Sequence, residues 1–284
     1  MKANKLDIMS INHNSDYNAH ICQTVNCENL KILDIKACLI GVIFSLQFMM
    51  TNWSFAGENT LTISVPPFPP FDSFVENPDC VGISVLALQE VTNGLKLKLE
   101  LITYPYTRIL LSLKTGELDL ALIFKNSTIE HDVEYIGPLS LSKVLVITKK
   151  SITIRRYQDL YKLKNIAVIR NAQFSDAFDQ DKALNKVDVA SYEKAIRMLE
   201  LKLVDGVIGS RVGIEYALSR HGLDINLMTN SFELGSKEIG LHLSKKSPYI
   251  SLLPLLTAAV KANYQKDLIY ALYQHQIKHC LPTK

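Results

Sequence analysis

The sequence is short of the features that mark several classes of protein. Its 284 residues carry 31 lysines and arginines against 28 aspartates and glutamates, a formal net charge of +3. No basic cluster stands out, which argues against a nucleic-acid partner. None of its five cysteines stands in the Cys-x-x-Cys spacing of a structural zinc site. With 12 glycines, 10 prolines and 48% hydrophobic residues, collagen-like and disordered chains are excluded as well.

One uncharged stretch, Ala37–Met50, stands near the N-terminus. It is shorter than the roughly 20 apolar residues that cross a bilayer. Lys31 and Lys36 precede it, and Ser54-Phe55-Ala56 follows, with small residues at the −3 and −1 positions of a cleavage site. This order is typical of a secretory signal. We therefore predict cleavage between Ala56 and Gly57 and a periplasmic protein, with an uncleaved membrane anchor as the alternative.

Residues 1–56 are accordingly assigned to an N-terminal extension and signal peptide. Residues 1–30 are polar and lack periodicity, and the sequence does not decide whether they are translated. Cleavage would leave Cys80 and Cys280, an even number that suits an oxidising compartment. A bond between them requires Cα atoms within about 7 Å, which the sequence does not show. Whether they pair stays open at this point.

The chain after residue 60 alternates between strand-like and helix-like runs. In the first half the predicted strands are Leu61–Val65, Lys96–Tyr104 and Asp119–Phe124, and the predicted helices are Ile83–Asn93 and Thr107–Thr115. Gly94 and Gly116 follow the two helices, where a residue tolerant of a left-handed backbone is favoured. Such alternation indicates an α/β fold with a mostly parallel sheet.

The pattern restarts after a predicted strand at Leu141–Lys149. The second half then gives strands at Asn165–Arg170 and Asp205–Gly209, a helix near Val212–Arg220, a strand at Lys237–Leu243 and a helical tail over Pro248–Gln276. Ser191 is placed to cap a further helix, with Tyr192, Ile196, Leu199 and Leu203 on one face. Aligning Asp119 with Asp205 superimposes Tyr106 on Tyr192, which suggests an internal duplication.

Several patterns in order resemble the periplasmic solute-binding proteins of ABC importers, in the family that includes the polar amino-acid binders (family 3). The matching stretches are Pro69-Pro70-Phe71, Gly82, Tyr106-x-Arg108 with Leu113, Gly116-x-x-Asp119, Val204–Ile208 and Leu243–Pro248. The resemblance covers Leu61 to about Ile277. It implies a type II binding-protein fold, with two α/β lobes joined by two crossover strands and a ligand in the cleft between them.

The resemblance also implies boundaries and partners. Lobe 1 would comprise residues 57–145 and the return segment 237–284, and lobe 2 residues 146–236. Hinge closure on the ligand would accompany binding. We expect a monomeric, non-enzymatic protein without cofactor or metal, which passes a small polar solute to an inner-membrane ABC permease or to a sensor.

Candidate ligand-binding residues follow from their places at the ends of predicted strands, where open α/β sheets bind ligands. In the first lobe they are Phe68, Phe71, Phe124, Asn126 and Ser127. In the second lobe they are Arg170, Gln173, Ser210 and Arg211. An aromatic that covers a sheet edge and an arginine on the surface are the structural alternatives. Arg108, Asp119 and Asp205 are expected to be structural and are left outside the site.

The loop after the third strand departs from the family pattern. Amino-acid binders place there an arginine that grips the α-carboxylate, and this chain has none between Asn126 and His131. Their aspartate for the α-ammonium falls on Ser210 here. We therefore expect that ordinary α-amino acids are not the ligand, and that a polar aromatic or singly anionic solute fits better. Arg170 or Arg211 would supply a cation.

Alternatives from other classes stay open. The fold also occurs in a periplasmic dehydratase that acts on prephenate-like acids, and Glu130 is the carboxylate that could serve such an enzyme. No Gly-x-Ser-x-Gly nucleophile motif is present. His275 and His279 have the spacing of a metal-binding pair, but we interpret them as a solvated helix face. A stand-alone sensory module is a further alternative. A regulator effector domain is disfavoured, because it would follow a DNA-binding helix pair, whereas residues 1–56 are predicted to hold a signal.

Overall fold

A computed structural model describes residues 60–75, 77, 79–95, 97–222 and 231–280, which belong to one compact unit, Glu58–Lys284. The predicted extension and signal peptide lie outside these residues. The strands are β1 Thr60–Ser64, β2 Lys98–Leu101, β3 Leu120–Phe124, β4 Val133–Thr148, β5 Ile166–Ile169, β6 Lys186–Val189, β7 Gly206–Ser210 and β8 Phe232–Ser244. The helices are α1 Ile83–Thr92, α2 Tyr106–Thr115, α3 Asp176–Gln180, α4 Tyr192–Glu200, α5 Arg211–Arg220, α6 Leu253–Asn263 and α7 Leu268–Cys280.

The strands form one sheet in the order β2-β1-β3-β8-β4-β7-β5-β6. β1 pairs in parallel with β2 and β3, and β5 pairs in parallel with β6 and β7. Between these two parallel groups, β4 and β8 pair antiparallel from Val133↔Ser244 to Val146↔Phe232. Two long strands thus connect two α/β halves, and the two-lobed fold class predicted from the sequence is confirmed. We call the half built on β1–β3 the first lobe and the half built on β5–β7 the second lobe.

Local signals placed the ends of two helices correctly. Gly116 ends α2 with a left-handed backbone, φ 83°, and its N–H donates to the Ser112 carbonyl. The Ser191 hydroxyl oxygen accepts the Lys194 N–H at 3.2 Å and caps α4. Both interactions join residues a few positions apart, which is why the sequence alone revealed them.

Several predicted element boundaries are wrong. Leu203 lies beyond the end of α4 and is 57% exposed. β4 begins at Val133, well before the predicted Leu141. The helical tail is two helices, because residues 264–267 break it to bond with β4. There the Leu141 N–H donates to the Lys266 carbonyl at 2.8 Å.

A disulfide joins Cys80, just before α1, to Cys280 at the end of α7, with the Cα atoms 6.0 Å apart. The pairing that the sequence left open is therefore made in the structure. Helix α7 packs on α1 and on β4, so the tail folds back onto the first lobe. In the described part of the chain no helix is long and apolar enough to cross a membrane.

The polar residues expected to be structural do hold the fold. The Asp119 carboxylate accepts the Thr62 N–H at 2.9 Å and the Ser247 hydroxyl at 2.6 Å. Asp205 pairs with Lys149 at 2.5 Å, and this partner lowers the pKa of its carboxyl. Arg108 pairs with Glu117 at 2.5 Å on the surface. These groups bond to the ends of strands and to a helix.

Candidate functional site

A small cavity of about 30 Å³ lies where the two lobes meet. The first lobe contributes Pro66, Phe68, Phe71, Ser84, Tyr106, Ile123 and Phe124. The second lobe contributes Ile169, Ala172, Tyr192 and Ser210, and the crossover strand β8 adds Ile239. We call this space the interlobe cavity. It has room for about one water molecule.

Phe68 occupies the centre of the aromatic wall. Its ring lies 5.7 Å from that of Phe71 and 6.4 Å from that of Tyr106, both in the first lobe. Across the cavity it meets the ring of Tyr192 edge to face at 5.2 Å. Edge-to-face pairs are favoured by the charge distribution of the rings. Phe68 therefore bridges the lobes and is only 5% exposed, because these rings enclose it.

Two glycines fix the position of Tyr192. A Cβ at either Gly209 or Gly213 would overlap the Tyr192 ring, so the ring fits only because both residues lack one. The Tyr192 Oη accepts the backbone N–H of Ser210 at 3.1 Å. The Ser210 Oγ in turn accepts the Gly213 N–H at 3.1 Å and caps α5. Ser210 thus lines the cavity, and the same network starts a helix.

Tyr106 stands opposite Tyr192 and differs from it in one respect. Its hydroxyl is buried without any hydrogen-bond partner in the structure. Burial raises the pKa of both tyrosines, so both hydroxyls keep their protons at neutral pH. The Asn126 side chain is near enough to lower the pKa of Tyr106 somewhat but makes no hydrogen bond to the hydroxyl. An unpaired buried hydroxyl is uncommon and calls for a partner.

Polar side chains beside the cavity bond one lobe to the other. The Asn126 Nδ2 donates to the Asn171 carbonyl at 3.2 Å, and the Asn171 Nδ2 donates to the Thr107 Oγ1 at 3.0 Å. The Ser127 N–H donates to the Gln173 Oε1 at 2.8 Å. We call these five residues the interlobe latch. Asn126, Ser127 and Gln173, predicted as ligand contacts, bond to the opposite lobe. They do not line the interlobe cavity but border a separate groove of about 530 Å³.

The two predicted arginines do not line the interlobe cavity. Arg170 follows β5 and points outward, where it pairs with Asp188 of the neighbouring strand at 3.7 Å and borders an open groove of about 480 Å³. Arg211 pairs with Glu215 at 2.6 Å, one turn along α5, and its guanidinium lies 4.2 Å from the centre of the Tyr270 ring. Each arginine thus pairs with a carboxylate outside the cavity. The described walls of the cavity therefore lack the arginine that was expected to pair with an anionic ligand.

Of the nine predicted contacts, the structure brings Phe68, Phe71, Phe124 and Ser210 together in the cavity wall. Sequence reasoning missed the two tyrosines, although the internal duplication had already superimposed them at the starts of two helices. It also missed the remaining wall residues, which are Pro66, Ser84, Ile123, Ile169, Ala172 and Ile239. These are small or aliphatic residues whose type carries no sign of a site.

The residues considered for an enzyme or a metal site do not line the interlobe cavity. Glu130 is exposed, lies 3.5 Å from His131 and borders a different groove. The His275 and His279 rings are 5.3 Å apart on an exposed helix face. Among the described residues no group of three or more His, Cys, Asp or Glu side chains could hold a metal ion.

No family model matches the sequence, and no curated protein matches it either. Solved structures do match in fold. A mutant of the arginine-binding protein ArgBP from T. maritima has a TM-score of 0.61 at 17% identity, over 78% of this chain and 96% of that one. An ancestral amino-acid-binding protein, AncCDT-1, described as a precursor of cyclohexadienyl dehydratase, has a TM-score of 0.61 at 15% identity, over 77% and 95%.

A histidine kinase sensor domain with similarity to periplasmic binding proteins has a TM-score of 0.63 at 13% identity, over 78% of this chain and 97% of the domain. These identities support a shared fold and nothing finer. The fold is that of the two-lobed periplasmic binding proteins, as the sequence resemblance implied. Solute-binding proteins, a sensor domain and the precursor of a dehydratase all share it.

Proposed function

We propose that the protein binds a small solute between its lobes and does not transform it. The observation that carries this proposal is that the walls of the interlobe cavity come from both lobes. Parting the lobes would separate Phe68 and Tyr106 from Tyr192 and Ser210, and closing them would surround a ligand. A site assembled by closure is how a hinged protein couples ligand binding to a change of shape.

The closed cavity is too small for an organic solute. A protein cavity known to hold benzene measures about 150 Å³, several times the space present. A ligand must therefore displace side chains or hold the lobes further apart. We place the hinge in β4 and β8, and we assign lobe 1 to residues 57–145 and 237–284 and lobe 2 to 146–236. The interlobe latch stabilises the closed arrangement in this scheme.

We further propose that the protein acts as a monomer in the periplasm and hands its solute to an ABC permease or a sensor. Periplasmic binding proteins and a sensor domain on the same fold support this, as does a disulfide, which persists in oxidising compartments. N-terminal sequencing of exported protein should begin at Gly57. Full-length chain recovered from membranes would instead support the anchor.

The enzyme alternative rests on the dehydratase precursor among the similar structures. A dehydratase of this kind would need a carboxylate in the cleft. No carboxylate is among the described residues that line the interlobe cavity. Incubation with cyclohexadienyl acids separates the two functions, because turnover supports the enzyme and its absence favours binding.

A thermal-shift screen tests solute binding itself. A ligand at 100 times its Kd adds about 2.7 kcal/mol, or roughly 5–10 °C for a chain of this size. Ala172→Trp should abolish the shift by filling the cavity, while Leu201→Trp adds the same ring at a 52% exposed position and serves as the matched control. Shifts that survive Ala172→Trp would contradict a site in this cavity.

A further inference from the structure

We propose that the ligand of this cavity is an uncharged, mostly apolar molecule with a single ring and one hydroxyl group. The inference rests on the proposed function and specifies the class of solute. It departs from the amino-acid binders on the same fold, because their ligands carry charges.

The first argument is the chemistry of the walls. The described residues around the interlobe cavity include aromatic rings, aliphatic side chains and two serines, and no lysine, arginine, aspartate or glutamate. A charged group that loses its water here would find no partner. An unpaired buried charge lowers affinity by about a hundredfold or more. A carboxylate or an ammonium on the ligand is therefore disfavoured.

The second argument concerns the charges nearby. Arg170 lies on the surface, 3.7 Å from Asp188, and Arg211 is held by Glu215 and stacked on Tyr270. Reaching the cavity would require Arg211 to leave its carboxylate and Arg170 to turn in from the surface. Neither arginine is therefore placed to pair with the singly anionic solute that the sequence allowed, and a neutral ligand fits the walls better.

The third argument is the buried Tyr106 hydroxyl. It lines the cavity and has no hydrogen-bond partner, whereas the Tyr192 hydroxyl already accepts the Ser210 N–H. A hydroxyl on the ligand can both donate to and accept from Tyr106. Rings such as Phe68 and Phe71 then surround the apolar part of the ligand. A polar group on an apolar ring matches the unpaired Tyr106 hydroxyl in a mostly apolar wall.

Three compounds of nearly the same shape test the charge requirement. Benzyl alcohol, benzoate and benzylamine carry charges of 0, −1 and +1 at pH 7, and titration calorimetry with the full chain measures their affinities. We expect benzyl alcohol to bind more tightly than either ion by about a hundredfold or more, because each ion would bury an unpaired charge. Tyr106→Phe should weaken benzyl alcohol by about two- to tenfold, the worth of one neutral hydrogen bond, and leave toluene unchanged.

The outcomes are distinguishable. If benzoate or benzylamine binds as tightly as benzyl alcohol, and Ala172→Trp but not Leu201→Trp removes that binding, the cavity is a solute site and the uncharged class is wrong. If no compound of the series binds, the inference is overturned as well. The proposed function then fails only if the wider metabolite screen also gives no shift that Ala172→Trp abolishes.

Discussion

Tyr106 and Tyr192 allow a matched test of the site, because removing the same atom should lower stability at Tyr192 but not at Tyr106. Both tyrosines are buried at the starts of helices and face the interlobe cavity. In Tyr192→Phe the Ser210 N–H loses its acceptor and is left buried without a partner. Such a group costs about 1–3 kcal/mol. In Tyr106→Phe no hydrogen bond is lost, because none is made.

The expected shifts follow from these energies. At roughly 2–4 °C per kcal/mol for a chain of this length, Tyr192→Phe should lower Tm by about 2–12 °C. Tyr106→Phe should leave Tm unchanged or raise it, because an unsatisfied polar group is removed from the interior. Differential scanning calorimetry of the ligand-free variants, with urea unfolding as a second measure, gives both values.

Two results would refute the reasoning. If Tyr106→Phe lowers Tm as much as Tyr192→Phe, the Tyr106 hydroxyl has a partner in the protein, and its proposed role toward a ligand loses its basis. If Tyr192→Phe is neutral, the Ser210 N–H finds another acceptor. The second result would not affect the argument on ligand charge, which depends on the cavity walls alone.

Two further predictions concern the disulfide and a buried histidine. The double variant Cys80→Ser/Cys280→Ser should lower the free energy of unfolding by up to about 5 kcal/mol, because the bond closes a loop with a sequence separation of 200. Wild-type mature protein that is denatured without reduction should show no free thiol at these positions. Two free thiols would contradict the bond. Burial lowers the pKa of His242 to about 4 from 6.5, so between these values the unfolded chain takes up a proton that the folded chain does not. Urea unfolding should therefore show the free energy of unfolding falling by up to about 3 kcal/mol from pH 7 to pH 4. The fall should be less steep in His242→Gln than in His275→Gln, which changes an exposed histidine and serves as the control. Equal slopes of the free energy of unfolding against pH in the two variants would exclude His242 as the cause.

The alternation of strands and helices could be predicted from the sequence, because it depends on contacts between neighbouring residues and on periodic burial. The two-lobed arrangement was implied by the resemblance to the solute-binding family rather than by these local patterns. Gly116 and Ser191 end and begin their helices through bonds that span three or four positions. Asp119 recurs at the equivalent position of the second lobe as Asp205, and both serve strand ends. Such signals are local, so they survive in a single sequence.

The composition of the site was decided by the tertiary structure. Strand-end positions brought Phe68, Phe71, Phe124 and Ser210 together in one cavity wall, since the ends of parallel strands meet at one edge. They could not show that Arg170 turns to Asp188, or that Gln173 bonds to Ser127 of the other lobe. A polar side chain bonds to whichever partner the fold brings near. In these two pairs the partner is distant in the sequence, so a local pattern does not reveal it.

The same reason explains the tail and the disulfide. Residues 264–267 have no strong helix breaker, and they leave the helix because β4 offers bonds at Leu139 and Leu141. Cys80 and Cys280 come within 6.0 Å only once α7 packs on α1. The sequence by itself determined which segments fold and in which order they alternate. Which residues meet between the lobes was decided by packing across long separations, because no local pattern in a single chain encodes that proximity.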